Sequence, residues 1–154
     1  MKQVGNHELS DQVSSGWINA SALEQVLRGG CEPHGADVYE VLFVFPTGCS
    51  IMVDTAVRLL SLFNQLDCCT RRVRLDFEAG EAGAMGYLNR MGFFDHLSRN
   101  VEVLPARPTI SGAEIYGGTN EGLVEITRIN REDRDARLPS RLTEAVMRDR
   151  KSVV

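Results

Sequence analysis

Three histidines and four cysteines are the side chains of this 154-residue chain best suited to catalysis or metal binding, so their spacing is the first test of function. His7, His34 and His96 are far apart, and none stands in a local catalytic signature. No serine occupies a G-x-S-x-G turn, and Cys49 follows Gly48 without the other residues of a cysteine-protease signature. Cys31, Cys49, Cys68 and Cys69 contain no C-x-x-C, and structural zinc needs paired ligands two to four residues apart with more downstream. The spacing predicts reduced thiols and no metal site. Asp76 and Glu78 are two apart, which places both on the polar face of a strand, where charges belong. There is no G-x-x-x-x-G-K-[ST]. The glycines of Gly80-Glu81-Ala82-Gly83-Ala84-Met85-Gly86 fall three apart, without the G-x-G of a dinucleotide fingerprint, and Glu81 would repel a phosphate. That stretch reads as a connector. Asp54-Thr55 has two readings. Both are ordinary helix-start residues, and a phosphate on Thr55 would also meet the free N–H groups and positive dipole of a helix N-terminus.

The elements that must position these residues follow from periodicity. Val38 to Phe45 is nearly continuous in β-branched and aromatic residues, as suits a central strand. Cys49 to Val53 is a short apolar return. From Asp54 onward, Ala56, Leu59, Leu60, Phe63 and Leu66 recur at spacings of three and four, with Val57 and Leu62 widening the stripe and Arg58, Ser61, Asn64 and Gln65 on the wet side. Leu59, Leu60, Phe63 and Leu66 are the predicted packing face of this helix. Arg72 to Glu78 alternates, with Val73, Leu75 and Phe77 to one face. Before this core, Met1 to Gly16 is polar and aperiodic and reads as mobile or loosely packed. Ser21-Ala22-Leu23-Glu24 reads as a capping box for a helix stopped by Gly29-Gly30. After it come a short helix over Met85 to Gly92, a turn over Phe93 to Leu97, a strand over Val101 to Leu104, a loop over Arg107 to Gly118 and a strand over Leu123 to Ile129. A charged linker and a helix from Pro139 follow, and the few apolar residues there predict only partial packing. The expected fold is α/β, with a central mixed sheet of four or five strands and helices packed on it. The expected organisation is a polar segment and short helix over 1–37, an α/β core over 38–129, and a linker and helix over 130–154.

Length and composition suit one globular domain whose core needs no disulfide or metal. The net charge of -4 leaves no cationic surplus for phosphate backbones, which argues against nucleic acid as a partner. No signal-peptide pattern is present, and no apolar run approaches the roughly 20 residues of a membrane span. The expected location is the cytoplasm.

The run Val38–Phe45, then Met52-Val53-Asp54-Thr55-Ala56-Val57 with its helix, then Arg72–Phe77, resembles the core of STAS domains, the fold of bacterial anti-sigma-factor antagonists. Gly86-Tyr87-Leu88-Asn89-Arg90-Met91-Gly92-Phe93-Phe94 is similar to a narrower group, the STAS-like segment found before histidine-kinase-type (GHKL) ATPase domains in bacterial proteins. The resemblance covers residues 38 to 148. It implies a non-enzymatic regulatory module that binds a GHKL-type ATPase or kinase, in trans or in a longer version of the chain, because no ATPase box occurs in these residues. In the family a serine after an aspartate at the start of the central helix is phosphorylated. The matching position is Thr55 after Asp54, but Asp-Ser-Ser-Gly there becomes Asp-Thr-Ala-Val here.

The expected partner surface is Asp54, Thr55, Arg58 and Ser61 with the Gly83–Phe94 segment. Within that segment one of Phe93 and Phe94 is expected to stand exposed, because one helical turn can hardly bury both. No cofactor is expected. The alternatives are a structural subunit of a larger bacterial assembly and, against the missing catalytic spacings, a small α/β hydrolase or transferase.

Overall fold

Val38–Phe45 forms the long strand that its composition predicts, and the other strands align beside it. The structure is a computed structural model and describes residues 3–8, 16–29, 33–117 and 125–126, with the backbone course alone over 3–8. In chain order the elements are β1 (Gln3–Glu8), β2 (Trp17–Ile18), α1 (Ala20–Gly29), β3 (Val38–Phe45), β4 (Ser50–Ile51), α2 (Val53–Cys68) and β5 (Arg72–Phe77). A 3-10 turn (Gly80–Ala82), α3 (Ala84–Arg90), α4 (Phe93–His96), β6 (Glu102–Leu104) and α5 (Gly112–Tyr116) follow.

The main sheet runs β1-β3-β5-β6, and β2 pairs with β4 in a separate two-residue ladder. Every pairing among the described residues is parallel, where the sequence predicts a mixed sheet. Parallel neighbours need crossovers, and each crossover here carries at least one helix: α1 between β1 and β3, α2 between β3 and β5, α3 and α4 between β5 and β6. The strand order advances in one direction only. Successive crossovers of one hand then lay their helices on the same face.

Aromatic packing agrees with that one-sided arrangement. Phe43 of β3 meets Phe63 of α2 at 4.8 Å, Phe63 meets Phe93 of α4 at 6.3 Å, and Phe94 meets Phe77 of β5 at 6.0 Å. Leu59, Leu60, Phe63 and Leu66 are all buried in this core, as the periodicity of α2 predicts. On the opposite face of the sheet, Arg74 stands between Glu40 and Glu102, 3.3 Å from each carboxylate. That half-exposed ionic row explains why β5 alternates apolar with charged residues.

Several boundaries differ from expectation. Gln3–Glu8 is the edge strand of the main sheet, in parallel register with Gln3–Val38 to Glu8–Val44. Ile18 and Leu23 belong to the same core as β3. The helix α1 starts at Ala20, with the Asn19 side chain accepting from the Ala22 N–H at 2.9 Å, so Asn19 rather than Ser21 caps it. The loop expected over 107–118 contains α5, capped by Ser111, whose hydroxyl accepts from the Glu114 N–H. The expected strand over 123–129 is described only at 125–126, with no strand assigned there, and the expected linker and helix over 130–154 lie outside the described residues.

Candidate partner-binding corner

The chain approaches α2 through β4, which pairs with β2 in the register Trp17–Ser50 and Ile18–Ile51. The Ser50 N–H donates to the Gly16 carbonyl at 2.7 Å and the Met52 N–H to that of Ile18 at 3.0 Å. Side chains alternate across such a ladder. Ile18 and Ile51 turn into the core at 2% and 1% exposure, which leaves Trp17 and Met52 outside at 52% and 46%. Met52 is also the N-cap of α2, in extended conformation and with no side-chain cap bond.

Helix α2 therefore starts one residue before Asp54, and Asp54 and Thr55 lie in its first turn instead of capping it. Asp54 is exposed, where its negative charge suits the positive end of the helix dipole. Thr55 is completely buried, and its hydroxyl lies 3.4 Å from Asp54 Oδ1 as donor. A kinase cannot reach that hydroxyl while the first turn of α2 is formed. Val53 and Val57, one turn apart, are exposed at 38% and 46%. Val57 thus does not widen the core stripe. At 100° per residue it falls on the face away from Leu59, Phe63 and Leu66. Arg58 is exposed and makes one long ion pair with Glu24 of α1, at 3.9 Å. Ser61 is exposed, and its hydroxyl accepts from Gln65 Nε2 at 3.4 Å.

Trp17, in the ladder beside β4, and Met52, Val53 and Val57, at the start of α2 with Asp54 and Arg58, are therefore all exposed at this end of the helix. Eight large apolar side chains are exposed among the described residues, and these four are half of them.

Phe93 and Phe94 do not belong to it. Both are buried, at 0% and 6%, which corrects the expectation of an exposed aromatic anchor. Helix α4 packs against both α2 and β5, so its two rings meet different neighbours, Phe93 on Phe63 and Phe94 on Phe77. The rest of the Gly86–Phe94 segment is also structural. A Cβ at Gly86 would fall on the Glu81 carbonyl oxygen. Asn89 donates to the Ile110 carbonyl at 3.2 Å and accepts from the Gly112 N–H at 3.1 Å, which holds α5 in place. Gly92 has a left-handed φ of 77°. Gly80 to Gly86 forms the 3-10 turn and its close approach to α3, which fits a connector.

The remaining chemical candidates are dispersed. His96 Nε2 is 3.0 Å from the Ile126 carbonyl oxygen, and the Ile126 N–H donates to the Met91 carbonyl at 2.8 Å. His34, Cys68 and Cys69 are exposed. Asp76 is half-buried beside the Arg74 row, and Glu78 accepts from the Thr47 N–H. Cys49 is half-buried, and its thiol is pushed up from 9.0 to about 11, first by burial and second by the charge of Glu78. Among the described residues no three His, Cys, Asp or Glu side chains are grouped to hold a metal ion. No described helix is long and apolar enough to cross a membrane. Cys31 and the side chain of His7 lie outside the described residues.

Comparison of the chain with protein-family models, with curated proteins and with solved structures returned no match.

Proposed function

We propose that this chain is a non-enzymatic regulatory module of STAS-like type, with a central sheet of four or five strands, that binds a GHKL-type ATPase or kinase through the corner at the start of α2. The observation that carries this reading is the gathering of Trp17, Met52, Val53 and Val57 around two exposed charges, Asp54 and Arg58. Exposed aromatic and aliphatic anchors beside a charged rim are what a protein interface requires. The sequence resemblance puts partner docking on the same edge, and the scattered His and Cys residues favour binding over turnover.

In this reading Asp54 supplies a fixed negative charge beside the apolar anchors. Thr55 takes part only if the first turn of α2 opens, so recognition of the closed form rests on the exposed patch.

The test is affinity capture from the source cells with the wild-type chain, Val57→Glu and Arg58→Glu, each with and without ATP, and identification of the bound protein by mass spectrometry. The expected result is a GHKL-type ATPase held by wild type and lost with Val57→Glu. Equal retention by both variants, with circular dichroism unchanged, removes this corner as the interface. Retention of a non-ATPase assembly regardless of ATP would favour the structural-subunit alternative.

A further inference from the structure

The exposed face of α2 is complementary to itself. Viewed down the helix at 100° per residue, Val53 and Val57 lie on one side of the exposed face and Asp54 and Arg58 on the other. All four are exposed, and in each pair the residues are four apart, so both pairs centre near Thr55 and Ala56. A two-fold axis perpendicular to the helix at that centre brings a second α2 alongside, antiparallel. That operation keeps each residue on its own side of the face and inverts its height. Val53 then meets the second copy's Val57, and Asp54 meets its Arg58, each contact occurring twice.

We infer that two copies of this chain associate through α2, antiparallel about a two-fold axis near Thr55, with crossed Asp54–Arg58 ion pairs beside a Val53–Val57 contact. Such an interface is isologous, so one surface serves both copies. Asp54 has no ion-pair partner among the described residues, and the Arg58–Glu24 pair is long and exposed on both sides, so Arg58 can turn to a second copy at little cost. The inference rests on the proposed reading of this corner as an interaction surface, and it adds a regulation: self-association covers the patch that a partner would use.

Charge exchange in the full 154-residue chain tests this. Sedimentation equilibrium of wild type over a rising concentration series should give a weight-average mass that climbs from one chain toward two. Asp54→Arg places arginines opposite arginines, and Arg58→Asp places aspartates opposite aspartates, so each variant alone should stay monomeric. An equimolar mixture of the two should associate, because each then supplies the charge that the other lacks. The double variant Asp54→Arg/Arg58→Asp should recover wild-type association. Circular dichroism of each variant confirms that it is folded. A wild type that stays monomeric throughout, or single variants that associate as wild type does, overturns the inference. So does failure of the mixture to associate. Partner capture by wild type and its loss in Val57→Glu are read separately, so a monomeric wild-type chain that still captures an ATPase leaves the proposed function standing.

Discussion

Asp54 and Thr55 are consecutive in the first turn of α2, yet Asp54 is exposed and Thr55 is sealed, joined only by a 3.4 Å contact from the Thr55 hydroxyl to Asp54 Oδ1. A buried hydroxyl with one long hydrogen bond is cheap to replace. Thr55→Val should change stability by no more than about 1 kcal/mol. Thr55→Glu places a charge at a fully buried position and should cost at least about 3 kcal/mol. Urea denaturation of the two variants measures the difference. If Thr55→Glu unfolds at the wild-type midpoint, the first turn of α2 opens far more readily than its packing implies.

Two helical glycines, Gly86 and Gly29, give a graded test. Gly86→Ala forces a methyl group onto the Glu81 carbonyl, and backbone cannot move aside as a side chain can. The expected loss is about 1–3 kcal/mol or more. Gly29, the last residue of α1, has no atom within 4 Å of an added Cβ. Gly29→Ala should therefore be neutral or stabilise by up to about 1 kcal/mol. Thermal midpoints that shift equally for the two variants would contradict this local geometry.

Phe63 joins the sheet to α4, with Phe43 on one side and Phe93 on the other. Phe63→Ala should cost about 3–5 kcal/mol. Near-ultraviolet circular dichroism should also lose intensity, because Phe43 and Phe93 lose their shared neighbour. A denaturant midpoint within error of wild type would remove Phe63 from the core.

Thiol chemistry should divide by burial. In a Cys31→Ser background, Cys68 and Cys69 should react quickly with a maleimide at neutral pH. Cys49 should react slowly, because its pKa near 11 leaves little thiolate. The same shift has a consequence for stability. Between pH 9 and 11 the unfolded chain loses the Cys49 proton while the folded chain keeps it, so stability falls as pH rises through that window. Cys49→Ser should lack this contribution, which pH-dependent denaturation of the two proteins resolves.

Strong periodicity made the central elements legible. The runs that become β3 and β5 are long and chemically one-sided, and the stripe of α2 is deep enough that four predicted contacts are all buried. What the sequence left unread were elements whose stability comes from elsewhere. Residues 3–8 contain only Val4 as a β-branched residue and owe their strand to hydrogen bonding along β3. The helix α5 is five residues long, too short for a periodic pattern, though Ser111 and Glu114 already stood at capping spacing. The site divided in the same way. Arg58 and Ser61 were legible as the wet side of α2. Val57 was assigned to the wrong face because it is apolar, although its angle on the helix already excluded it from the Leu59–Phe63 stripe. Phe93 and Phe94 are both buried, against expectation, because one helical turn can reach two aromatic neighbours when it packs against both a helix and a strand.

The backbone of Ile126 gives its N–H to Met91 and receives His96 Nε2 at its carbonyl, so a late stretch of chain closes the turn that joins α3 to α4. This bears on where the protein can be cut. A fragment ending at Gly117 would keep every described helix and strand, yet it would leave the Met91 carbonyl and the His96 ring without their partners beside Gly92. The smallest piece worth expressing therefore extends past Ile126, and a protease that severs the chain between those two points should loosen the α3–α4 junction before it disturbs the sheet.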